Sequence, residues 1–96
     1  MRPSTALNAH RAEIIAIVIA HNASNARVFG SVIREEDTDA SDLDLIIDPT
    51  PETSLLDIGA IRFELKKLLG INVDIVTPNA LPDHFRDKVL RESVPV

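Results

Sequence analysis

The sequence predicts an α/β fold, a small β-sheet of three to four strands packed against helices. Three observations lead there. Stretches with apolar residues at helical spacing alternate with short β-prone runs along the 96 residues. The run Asp42–Asp48 alternates with a period of two, so Leu43, Leu45 and Ile47 share one face while Asp42, Asp44 and Ile46 share the other. Hydrophobic content of 45% against a net charge of −5 is ample for a globular core and too apolar for a disordered chain. The length suits one small domain, residues 1–96, with no internal repeat.

Each element follows from local pattern. A helix is expected from Thr5 to about Asn22, with Leu7, Ile14, Ile15 and Val18 at helical spacing, Ser4 or Thr5 as its cap, and Pro3 just outside. Its apolar surplus, Ile14 to Ile19, exceeds one stripe and fits either packing on two sides or a partner-facing surface. Arg27–Phe29 is a short β-prone run broken by Gly30. Ser31–Glu35 suits a single helical turn, and Glu36–Ser41 a polar loop. Strand Asp42–Asp48 is stopped by Pro49 and Pro51. Ser54 with Asp57 forms a capping-box signature for a helix whose expected core face is Leu55, Ile58, Ile61, Leu65 and Leu68. Lys66 and Lys67 complement its C-terminal dipole, and Gly70 suits the position after it. Ile71–Val76 is a strand ended by Pro78. The last helix, about Pro82–Arg91, carries Leu81, Phe85 and Val89 at four-residue spacing.

Composition narrows the function classes. A pI near 5.0 disfavours sequence-independent binding to long nucleic acids, and three Phe with no Tyr or Trp leave few stacking platforms. No direct nucleic-acid binding is expected. With no cysteine there is no disulfide framework and no thiolate metal site. The apolar run Ile14–Ala20 falls far short of the ~20 residues that span a bilayer and lacks a cleavage pattern, so a cytoplasmic protein without membrane contact is expected. His10, His21 and His84 lie in separate helical segments without metal-ligand spacing, and Arg86, Lys88 and Arg91 read as a solvated helix face. Arg27, close to the Gly-Ser turn, is left open.

The residues that carry chemistry are acidic. Asp42 and Asp44, two apart on a strand, point the same way at a Cα spacing of ~6.5–7 Å. Such a pair can hold a hard cation, and Mg²⁺ takes one or two carboxylates together with substrate phosphates. Alone, Asp-Leu-Asp is equally the solvated face of an edge strand. Asp74 adds to it: Val73 and Ile75 lie on the face opposite, so a second strand also presents an aspartate, against β-propensity. If the strands are neighbours, three carboxylates converge, an arrangement that calls for cations. Gly30-Ser31 follows the first strand. Glycine lets the backbone approach a ligand, and a serine opening a helical turn offers a hydroxyl and N–H groups to phosphate, though such pairs are often plain turns.

Gly30-Ser31, ten residues, then Asp42-Leu43-Asp44 resembles the G-S-x₁₀-D-x-D signature of the DNA polymerase beta-like nucleotidyltransferase superfamily. More narrowly, the segments V-F-G-S-V-I-R, S-D-L-D-L-I-I-D and V-D-I-V-T-P resemble the minimal nucleotidyltransferase (MNT) family over nearly the whole chain. The resemblance implies a mixed sheet of the nucleotidyltransferase fold, with Asp42, Asp44 and Asp74 as ligands of two Mg²⁺ ions. Asp74 would also help deprotonate the acceptor hydroxyl. Gly30 and Ser31 would hold the triphosphate of ATP, and Arg34 matches the second Arg of the family's G-S-R-A-R-G. Val32 replaces its first Arg and Glu35 its closing Gly, which lowers the positive charge beside the phosphates.

The family is known for antitoxins encoded beside HEPN-domain toxins, which are RNases. They transfer AMP from ATP to a toxin tyrosine and silence it, and a hetero-oligomer with the toxin is implied here. Two other functions fit less of the sequence. One is a binding-only antitoxin that works by occlusion, which Val32 and Glu35 favour. The other is transfer to a small-molecule hydroxyl, for which the chain has no second domain to wall a pocket.

Overall fold

The computed structural model describes residues 1–96. Helices α1 (Pro3–Ala9) and α2 (Arg11–Ala20) lead into strand β1 (Ala23–Phe29) and a 3₁₀ turn, Gly30–Val32. Strand β2 (Leu43–Pro49), helix α3 (Leu55–Leu69) and strand β3 (Val73–Val76) follow. A second 3₁₀ turn (Pro78–Ala80), helix α4 (Asp83–Glu92) and strand β4 (Val94–Pro95) complete the chain. The sheet is mixed, in the order β3-β2-β1-β4. β2 runs antiparallel to β1 and parallel to β3, while β4 pairs antiparallel with β1. No helix is long and apolar enough to cross a membrane.

One face of this sheet makes the core. Leu43, Leu45 and Ile47 of β2 are fully buried, as the period of two requires, and meet Val28 and Val73 from the flanking strands. α2 lies against β1 and α3 against β3, closing that face with Ile14, Val18, Ile61, Leu65 and Leu69. Ile46, on the opposite face, is also fully buried, and the Pro78–Ala80 turn lies against β2. The acidic face of β2 is therefore covered at one end and open at the other.

Several expectations are corrected. The first helix is two helices, broken at His10 (φ −133°), and Pro3 sits in its first turn. Neither Ser4 nor Thr5 caps it. Instead the buried Asp37 accepts the Ser4 N–H at 3.0 Å, so the polar loop is tied down on α1. Hydrogen bonds from Ser4 hold the Asp37 carboxyl below its usual range. The apolar surplus of α2 is not packed on two sides: Ile15 and Ile19 are exposed. β1 is four residues longer than its β-prone run. Its start contains a bulge between Ser24 and Arg27 in which Asn25 has φ +52°, so propensity could not reveal it.

The capping box of α3 is present, and Gly70 takes the left-handed conformation expected of it (φ +70°). Leu55, expected in the core, is 86% exposed. It lies in the first turn, about 80° round the helix from Leu65. Leu56 and Phe63 are exposed as well. α4 buries no residue fully, and Phe85 stays exposed while Leu81 just before the helix is buried. Arg86 is not part of a solvated face. Its guanidinium donates to the carbonyls of Pro78 (2.8 Å) and Leu81 (2.7 Å), joining α4 to the preceding turn. β4 was hidden by its proline, which only an edge strand accommodates.

Gly59 occupies mid-helix in α3, and a Cβ there would meet nothing within 4 Å. Gly59→Ala should raise unfolding stability by about 0.5–1 kcal/mol, since alanine removes only backbone freedom that folding must restrict. A urea midpoint that stays put or falls would show that the exposed face of α3 is otherwise constrained.

Candidate active site

The sheet register builds the site. Asp44 of β2 pairs with Asp74 of the parallel strand β3 on one side and with Phe29 of β1 on the other. Because Leu43, Leu45 and Val73 face the core, the pleat turns Asp44 and Asp74 to the opposite side together. The sequence left open whether these two strands pair; they do. Asp42 lies just before β2 and, like Asp74, acts on Asp44 through its negative charge, Asp74 the more strongly. The expected trio is therefore a close pair with a third carboxylate nearby. No set of three side chains closes into a ready-made metal cage.

Gly30 locks onto this pair. Its φ is +78°, a conformation that favours glycine. A Cβ on it would collide with the Asp44 carboxylate, whose Cγ would lie only 3.2 Å away. The turn backbone thus passes directly over Asp44. Gly30 O accepts the amides of Ile33 (3.1 Å) and Arg34 (3.2 Å), so Ser31 opens a tight turn at the head of the acidic face.

Burial chiefly, then the charges of Asp74 and Asp42, pushes the Asp44 carboxyl up to about 6, with Arg34 pulling weakly the other way. This donor set fits a hard cation. Two adjacent carboxylates that repel one another, beside a turn open to phosphate, match the oxygen-rich and partly substrate-supplied coordination that Mg²⁺ takes.

The two departures in the turn separate here. Val32 is half-buried and packs against the core, so its apolar character serves the fold. Glu35 is exposed with φ +57°, a left-handed conformation that suits glycine better. Arg34 is exposed and paired with Glu36 at 3.1 Å. Arg27 is on the same sheet face but is paired with Asp48 farther along β2, away from the turn.

A cavity of about 300 Å³ opens between the turn and α4. Gly30, Arg34 and Asp44 line one part of it. Phe29, Ile33 and Val89 line the rest, and Glu92 stands with them. None of these last four was expected from the sequence. α4 sits beside the site only through the tertiary fold, and the one local signal was an acid at a helix C-terminus, where the dipole favours cations.

The raised Asp44 gives a pH dependence of definite sign. A folded-state carboxyl raised from 3.8 to about 6 contributes stability that is complete below the unfolded value and lost as pH rises through 6. In chelator, unfolding stability should therefore decline between about pH 4 and pH 7 by on the order of 1 kcal/mol, after allowance for solvent screening. Asp44→Asn should flatten that stretch in thermal melts; an unchanged slope would place the decline elsewhere.

A family model described as polymerase beta, nucleotidyltransferase matches residues 12–96. A Methanocaldococcus jannaschii protein, provisionally named protein adenylyltransferase MJ0435, is 34% identical over 94% of this chain and 97% of its own length. Protein adenylyltransferase MntA of Thermococcus cleftensis is 39% identical over 70% of this chain and 68% of its own. Among solved structures, one provisionally described as a minimal nucleotidyltransferase superposes with a TM-score of 0.88 at 40% identity, covering 100% of this chain and 97% of that one. A toxin–antitoxin crystal structure with AMP-PNP shares the fold alone, with a TM-score of 0.73 at 16% identity over 88% of this chain and 69% of that one. With its mixed sheet, its glycine turn and its strand-borne aspartates, the chain belongs to the polymerase beta nucleotidyltransferase family, in the minimal form.

Proposed function

We propose that this protein is an antitoxin that transfers AMP from ATP to a tyrosine hydroxyl of a HEPN-domain toxin, an RNase, and so silences it. The observation that carries the reading is the pairing of Asp44 with Asp74 directly beneath the Gly30 turn. Relatives named as protein adenylyltransferases support the reaction class. A toxin as acceptor is supported by the MNT resemblance, and the fold is also the one found in a toxin–antitoxin complex.

In the proposed reaction the tyrosine oxygen attacks the α-phosphorus of ATP. The bond from that phosphorus to the bridging oxygen breaks, and pyrophosphate leaves. Asp74, at the edge of the acidic face and exposed, accepts the hydroxyl proton. Gly30 and Ser31 hold the triphosphate through backbone N–H groups and the serine hydroxyl, and Arg34 adds positive charge at the rim. Asp42, Asp44 and Asp74 would hold Mg²⁺, two ions in the full reading, which supply charge neutralisation for the attacking and leaving oxygens. The open side of the sheet leaves the acceptor to come from another protein.

Occlusion without transfer is the second reading, favoured by Glu35, an exposed carboxylate one residue past Arg34. Intact-mass spectrometry separates the two. The HEPN toxin, incubated with this chain, ATP and Mg²⁺, should gain one or more AMP units. Asp42→Asn should abolish the gain while the variant still folds and binds toxin. A tight complex with no mass gain would establish occlusion instead.

Ser31→Ala should weaken nucleotide binding by about 1.5–3 kcal/mol, the worth of one hydrogen bond to a charged group. Unchanged affinity in a calorimetric titration would remove Ser31 from the phosphate site.

A further inference from the structure

We infer that the cavity beside the Gly30 turn is a nucleobase seat and that Glu92 reads the base, accepting a hydrogen bond from the exocyclic amine of adenine. This rests on the nucleotidyl-transfer reading of the same site and adds to it the part of the nucleotide that takes no part in the chemistry.

The cavity lining is of two chemical kinds. Gly30, Arg34 and Asp44 are the groups suited to triphosphate and cation. Half-buried Phe29, Ile33 and Val89 add an aromatic and two branched aliphatic side chains. Such walls accept the face of a flat heterocycle and offer nothing to phosphate. At about 300 Å³ the space suits part of a nucleotide and is too small for a whole one.

Besides Arg34 and Asp44, Glu92 is the only polar side chain lining the cavity, and its place at a helix C-terminus is electrostatically unfavourable. It is the last residue of α4, where the helix carbonyls already concentrate negative charge. It takes no part in any ion pair of the chain, although six exist. It also adds an acid to a cavity that already holds Asp44. Glu92 is exposed, and its carboxylate is a pure acceptor. Adenine presents an amine donor at its 6 position, whereas guanine and hypoxanthine present a carbonyl acceptor there. A carboxylate facing the 6 position itself pairs with the amine and opposes the carbonyl.

The arrangement also explains how the C-terminal segment matters to the site. Val94 and Pro95 pair with β1 at Val28 and Arg27, and the Val96 amide donates to Ala26 O at 3.0 Å. That short strand anchors the end of α4 beside Phe29. Val89 and Glu92, three apart on the helix, fall on one face and reach the cavity together.

The test is equilibrium binding, without acceptor protein, of ATP, ITP, dATP and inorganic tripolyphosphate in Mg²⁺ to the full chain and to Glu92→Gln. The wild-type chain should prefer ATP to ITP roughly tenfold, as a rim hydrogen bond with an acceptor-only group would give. Glu92→Gln, whose amide can also donate, should bring that ratio close to one while tripolyphosphate affinity stays unchanged. An ATP-to-ITP preference that persists in Glu92→Gln overturns the proposal, as does its absence from the wild-type chain. Loss of dATP binding to the same extent as ITP would assign Glu92 to the ribose and overturn it too. If neither ATP nor tripolyphosphate binds the wild-type chain, the transfer reading itself fails and the base seat falls with it.

Discussion

Two aspartates held side by side by a parallel strand pairing are the constraint on which the rest of this molecule turns. In register, Asp44 and Asp74 cannot avoid one another, and burial prevents solvent from screening them fully. Burial chiefly, and then that repulsion, raises Asp44 toward neutrality and works against the fold. Carboxyl groups shifted in this way are concentrated at functional sites. The core is arranged so that nothing on the other side of the sheet can relieve it. Leu43, Leu45 and Val73 are almost wholly excluded from solvent, so a slip of either strand by one residue would bring carboxylates into the hydrocarbon layer.

The remaining elements can be understood by what they do for that pair. α3 crosses over between β2 and β3, which is what a parallel pairing requires, and its capping box and Gly70 fix where it begins and ends. β1 brings the Gly30 turn over Asp44 at a distance only glycine permits. α4 does not contribute a buried residue, so its position beside the cavity depends on the Arg86 clamp and on β4. The site therefore has a rigid half, built on central strands, and a lightly attached half, built on the C-terminal helix.

The glycine turn shows how a departure from a family pattern changes meaning once it has a place in space. Val32 and Glu35 both reduce positive charge on paper. Val32 turns to the core, where an arginine would have had to leave it, while Glu35 stays exposed in a left-handed conformation that suits glycine better. The loop that follows is not free either, because Asp37 is buried against the start of α1.

The sequence by itself determined the order of elements and the acidic strand, since period-two alternation in Asp42–Asp48 and the Ser54–Asp57 cap are local properties. It also determined that Gly30, Asp42, Asp44 and Asp74 were the residues to watch. It could not decide that β2 and β3 are neighbours, because strand pairing is a long-range choice settled by the shared core. Nor could it reveal the break at His10, or the bulged start of β1 and the strand made by Val94 and Pro95, the last two held by strands distant in sequence. Tertiary structure alone brought Phe29, Ile33, Val89 and Glu92 to one cavity, because a pocket wall is defined by what faces it across space and leaves no period in the chain.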